Sequence, residues 1–173
     1  MDSLPLYLSQ LFNGFSLASI YVLAALGLAL SFGLMRVINM AHGEMLMAGG
    51  YLAYLTLQVV PGALGILVAI PVATLGAAAL GGIIENTVIR RLTARPLDTL
   101  LATWGVSLIL QQAARDIFGA VGVEVRAPDW LAGGVTLAGV QIPSARLFII
   151  VMALAVLGAM ALVLNRTRAG LLV

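Results

Sequence analysis

The stretch Arg36-Val37-Ile38-Asn39-Met40-Ala41-His42-Gly43-Glu44 decides how the chain is read, because it gathers polar and charged groups between two long uncharged segments. No Asp, Glu, Lys or Arg occurs from Ser3 to Met35, and none from Met45 to Ile84. Ionisable side chains inside or beside a bilayer are costly, so a cluster of them marks a functional position by default. His42, the only histidine of the chain, lies within it.

Working outward, the whole composition is that of an integral membrane protein. Of 173 residues, 62% are hydrophobic and 9% charged, against about 25% charged in soluble domains, and the mean hydropathy is +1.11. All nine basic residues are arginine and there is no cysteine. Without lysine the chain supplies neither a P-loop lysine nor a Schiff-base lysine. Without cysteine it makes no disulfide, iron-sulfur site or thiolate nucleophile. Any ATP hydrolysis belongs to another chain. The N-terminus, with Asp2 ahead of a hydrophobic run reaching Met35, does not fit a cleaved signal peptide, which opens on positive charge and has a short apolar core.

The pattern predicts an all-α polytopic protein with five transmembrane helices in one domain over residues 1–173. The first span runs from about Leu8 to Leu34, longer than the roughly 20 residues a crossing needs, so it tilts or begins in the interface. A second, Met45 to Val59, stops at the breaker pair Pro61-Gly62. It is short for a crossing and is expected to recruit part of the polar cluster. The third, Ala63 to Ile84, carries Gly65, Ala69, Ala73, Ala77 and Gly81 every four residues, a ridge that lets helix backbones approach closely in lipid; Pro71 in mid-span predicts a kink. Glu85 to Arg95 reads as a basic loop with Arg90, Arg91 and Arg95, placed in the cytoplasm by the positive-inside rule.

A fourth helix begins at Pro96, with Asp98 in its first turn. Thr99, Thr103, Ser107, Gln111 and Arg115 recur along it every four residues and draw a polar stripe. In lipid such a stripe faces protein or water, so it either bonds between helices or lines a polar solute path; Trp104 reads as a pocket or packing group. The section from Arg115 to Arg146 has balanced charge, and Gly133-Gly134 with Gly139 divides Val135 to Ile142 into two short runs, a small hairpin or structured loop. Pro143-Ser144 leads into the fifth span, Leu147 to Leu164, closed by Asn165-Arg166-Thr167-Arg168. Both basic clusters are cytoplasmic together if the N-terminus is outside and the C-terminus inside, which leaves the 115–146 loop outside.

His42 and Glu44 invite a metal or acid-base reading, which their spacing opposes. A zinc deaminase pairs H-x-E with a P-C-x-x-C that is absent here, and a zincin needs two histidines one turn apart. Residues two apart on a helix point to different sides. If the stretch is helical, Asn39, His42 and Gly43 share one face and Arg36, Met40 and Glu44 another, with Arg36 and Glu44 about 12 Å apart along the axis. A break at Gly43 would change this, and broken helices are how transporters build sites at membrane depth. The alternative is that the residues end one helix and cap the next. No catalytic residue, cofactor or metal ligand is assigned.

The run Gly27-Leu-Ala-Leu-Ser-Phe-Gly33-Leu-Met-Arg36-Val-Ile-Asn39-Met-Ala-His42-Gly43-Glu44-Met-Leu-Met-Ala-Gly-Gly-Tyr51 resembles the signature of membrane permease subunits of ABC importers for branched-chain amino acids. A second block, Arg95-Pro-Leu-Asp-Thr-Leu-Leu-Ala-Thr-Trp104-Gly-Val-Ser-Leu-Ile-Leu-Gln-Gln112 with Arg115-Asp-Ile-Phe118, looks more like the urea branch of that family. Val123-Glu-Val125, Pro128-Asp-Trp130-Leu and Asn165-Arg-Thr-Arg168 fit the same branch. The resemblance implies a subunit of the bacterial inner membrane that forms a solute path with a second permease subunit. A periplasmic substrate-binding protein would deliver the solute, cytoplasmic ATPase subunits would use the ATP, and no nucleic acid would be involved. It makes Asn39, His42, Gly43 and Glu44 the signature residues. Thr103, Trp104, Ser107 and Gln111 are the candidate substrate path, suited to urea as a neutral polar solute, with branched-chain amino acids as the alternative substrate. Family members are much longer, so the chain is expected to be an N-terminal portion, and a non-transporting scaffold is the reading from another class.

Overall fold

The computed structural model describes residues 3–35, 38–92, 95–125, 128–137 and 140–166. Arg36, Arg168 and the expected spacing between Arg36 and Glu44 lie outside them. The chain divides into two compact units, residues 35–126 and residues 1–34 with 127–173.

In the second of these units, α1 (Ser3–Met35) is uninterrupted. At 1.5 Å per residue its 33 residues exceed a hydrocarbon core of about 30 Å, which requires tilt or an end outside the core. Asp129–Leu131 forms a single 3₁₀ turn, followed by β1 (Gly134–Leu137) and β2 (Val140–Pro143). They pair antiparallel, with Val135 opposite Ile142 and Thr136 opposite Gln141, so the expected hairpin is present. Ser144 then opens α6 (Ser144–Arg166). Its backbone N–H donates to the Gly133 carbonyl at 3.0 Å and its hydroxyl lies 3.0 Å from the Leu131 carbonyl oxygen, tying the hairpin to the helix start. Trp130 meets Phe148 edge to face at 5.9 Å.

The other unit holds α2 (His42–Val59), α3 (Ala63–Ile84), a π-helical turn Glu85–Ile89, α4 (Arg90–Leu92) and α5 (Pro96–Phe118). Helices α2 and α3 form an antiparallel hairpin around Pro61-Gly62, where Gly62 takes φ 83°, a left-handed conformation that favours glycine. The small-residue ridge faces α2: a Cβ built on Gly49 would lie 4.0 Å from Ala77 Cβ and from the Ala73 carbonyl, and one on Gly81 would meet Met45 Sδ at 3.6 Å. Without bulk on either surface the two helices close to backbone contact. Pro71 lies inside α3, which runs through it as helix.

Residues 85–92 depart from the loop expected there. The helix continues through the π turn into α4, because the five-residue step from Ile84 to Ile89 brings both onto the inner face. They pack with Met45, Leu80, Val106 and Leu110. Burying two isoleucines outweighs the two arginines, which point outward from exposed positions.

Three helices among the described residues are long and apolar enough to cross a membrane: Leu6–Gly33, Ala63–Leu92 and Ser144–Arg166. The other two long helices, α2 and α5, carry the polar cluster and the polar stripe, which lowers their hydropathy.

Candidate functional site

Asn39 builds the break before α2. Its Oδ1 accepts the Ala41 N–H at 3.0 Å and its carbonyl accepts the His42 N–H at 3.3 Å, an Asx-type turn that reverses the chain into the helix. The break therefore lies at residues 38–41 and not at Gly43, which is inside α2 with open space around it. Asn39 and Ala41 are buried, His42 is half-buried as the first residue of α2, and Met40 turns outward.

The stripe on α5 meets this break. Thr103, fully buried, accepts the Met40 N–H on Oγ1 at 3.2 Å and donates to the Leu100 carbonyl at 3.0 Å. One turn further, Ser107 Oγ donates to Glu44 Oε1 at 2.7 Å, and Gln111 Nε2 donates to the same oxygen at 2.7 Å and to Ser107 Oγ at 3.2 Å. Thr99 instead bonds back to the Leu92 carbonyl at 2.7 Å, closing the turn into α5. Buried non-helical backbone has to be satisfied by protein, and Asn39 and Thr103 supply acceptors for two of its N–H groups.

The contacts climb in step: Met40 with Thr103, Glu44 with Ser107 and Gln111, Tyr51 with Phe118, whose rings stack at 4.0 Å. Helices α2 and α5 thus run parallel. The start of α2 stands level with the middle of α5, which is where Ser107 falls in Pro96–Phe118.

Glu44 is buried, and its second oxygen, Oε2, is sealed from solvent and has no hydrogen-bond partner among the described residues. It also lines a cavity of about 370 Å³ with Met47, Tyr51, Gln111, Arg115 and the Gly119–Gly122 turn. In that turn Gly119 takes φ 88° and Gly122 φ 78°. An apolar cavity of about 270 Å³ lies between Glu44, Leu52, Gly76 and Leu110.

Of the residues singled out in the sequence, Asn39, Glu44, Thr103, Ser107 and Gln111 come together. Trp104 does not; it is 53% exposed on another side of α5. Thr103 and Ser107 spend their hydrogen-bonding capacity inside the protein, whereas Gln111 reaches the cavity. The Tyr51–Phe118 stack and the place of Arg115 on the cavity were not singled out, and only the four-residue step from Gln111 to Arg115 hinted at the second.

This arrangement bears comparison with known proteins. The family model described as branched-chain amino acid transport system / permease component matches residues 10–173. The high-affinity branched-chain amino acid transport system permease protein BraD of Pseudomonas aeruginosa is 30% identical over 95% of this chain and 57% of its own length. The corresponding permease protein LivH of Escherichia coli K12 is 32% identical over 61% of this chain and 36% of its own. That of Salmonella typhimurium is 43% identical over 28% of this chain and 16% of its own. The chain spans a little over half the length of BraD. No solved structure matches. The localisation expected from the sequence, a multi-pass protein of the bacterial inner membrane, agrees with these relatives and with the three apolar helices. With a match covering nearly every residue, the signature segment and the α5 stripe included, the chain belongs to the branched-chain amino acid transport system / permease component family.

Proposed function

We propose that the chain is the permease subunit, or part of it, of an ATP-driven importer for branched-chain amino acids. The observation that carries this reading is the 30% identity to BraD over 95% of the chain. The relatives compared are branched-chain amino acid permeases, so they favour that substrate over urea. The hydrogen bonding of the stripe points the same way. Of the neutral polar stripe Thr103, Ser107 and Gln111 expected to suit urea, Thr103 bonds to Met40, and Ser107 and Gln111 to Glu44.

In this reading α2 and α5 also cross the bilayer, giving five spans with the N-terminus outside and the C-terminus inside. The parallel course of α2 and α5 supports that count, since two crossings separated by one other must point the same way. Arg90, Arg91 and Arg95 then lie on the cytoplasmic side. A second permease subunit, separate ATPase chains and a periplasmic binding protein complete the importer, and the chain itself binds no cofactor.

The test is ATP hydrolysis by the chain reconstituted with those partners in nanodiscs. Stimulation by binding protein loaded with leucine supports the proposal. Stimulation by a urea-loaded binding protein alone would replace the substrate, and no stimulation by either favours a scaffold.

A further inference from the structure

The cavity beside Glu44 carries both signs of charge and an apolar wall. Glu44 Oε1 is occupied by Ser107 and Gln111, while Oε2 is buried without a donor among the described residues, a costly state for a carboxylate that a ligand bearing N–H groups would relieve. Arg115 lies on the same cavity one turn beyond Gln111, about 6 Å along α5. Its guanidinium fork matches a carboxylate in bidentate fashion, and its flexible stem covers the remaining distance. Met47, Ala114 and Val121 complete the lining with apolar surface. At about 370 Å³ the space falls among pockets for small molecules.

The geometry points to a binding site within the permease for an α-amino acid zwitterion. Glu44 receives the ammonium once its carboxylate turns toward the cavity, Arg115 holds the carboxylate, and the apolar wall takes an aliphatic side chain. The site rests on the branched-chain amino acid reading and adds to it a point of recognition inside the membrane subunit. Urea carries neither charge and leaves the opposed acid and base without a purpose.

The test uses the chain assembled with its partner subunits in nanodiscs without ATP, and three probes: leucine, leucinamide, which lacks the carboxylate, and 4-methylpentanoate, which lacks the ammonium. Glu44→Gln, which keeps the acceptor for Ser107 and Gln111, is expected to weaken leucine and leucinamide by about tenfold or more and to leave 4-methylpentanoate unchanged. Arg115→Gln, at an exposed position, is expected to weaken leucine and 4-methylpentanoate and to spare leucinamide. Equal losses for all three probes in either variant mean a structural role and overturn the site. Wild-type leucine binding in both variants overturns it too, and so does an absence of leucine binding in the wild type. Leucine uptake that persists in those cases leaves the substrate reading standing, whereas urea binding without leucine binding removes both.

Discussion

Glu44 Oε1 and Ser107 Oγ lie 2.7 Å apart although sixty-three positions separate the residues. The bond joins the one acid of the signature segment to the middle of the α5 stripe, and Gln111 doubles it. Among the described residues, Ser107→Ala removes one of two side-chain donors from a buried carboxylate and should cost about 1–3 kcal/mol. The triple change Glu44→Leu, Ser107→Ala and Gln111→Leu should cost less than the sum of the single changes, because no buried acceptor is left unsatisfied. Unfolding in detergent measures both, and strictly additive losses would show that the three side chains do not act together.

Gly65 and Gly76 both face α2, with different tolerance. A Cβ on Gly65 would run into the Val60 carbonyl oxygen, which is backbone at the end of the helical hairpin, whereas one on Gly76 would meet the end of the Leu52 side chain. Gly65→Ala should therefore lower stability by about 1–3 kcal/mol through overpacking. Gly76→Ala should cost less, since a leucine rotates away. Thermal melting of the two variants checks the order, and the reverse order would contradict the α2–α3 packing.

The Tyr51–Phe118 stack fixes the parallel course of α2 and α5. The native chain has no cysteine, so engineered pairs read distance without background. Tyr51→Cys with Phe118→Cys should join through a short bifunctional reagent. Tyr51→Cys with Thr99→Cys should not, because nineteen residues of helix, about 28 Å, separate positions 99 and 118. Equal yields would overturn the parallel register.

Much of this fold can be read from local signals. Pro61-Gly62, Pro96 and Pro143-Ser144 each stand at the element boundary that their backbone preferences require. The polar stripe is visible because four-residue spacing is intrinsic to a helix. What stays hidden depends on tertiary partners. Arg90 and Arg91 read as a loop until the burial of Ile89 shows why the helix continues. Glu44 reads as one member of a polar cluster between two spans, and nothing local indicates that it pairs with Ser107. The break falls at Asn39 because a side chain that mimics a backbone turn is worth more there than the freedom of Gly43. Trp104, which reads as a pocket or packing group, faces outward because its neighbour Thr103 takes the inner position.

The most direct measurement of the central claim is uptake of labelled leucine and labelled urea by proteoliposomes containing the chain with its partner subunits, binding protein and ATP. The account predicts saturable, ATP-dependent leucine uptake that excess urea does not inhibit. Urea uptake in the absence of leucine uptake would contradict it.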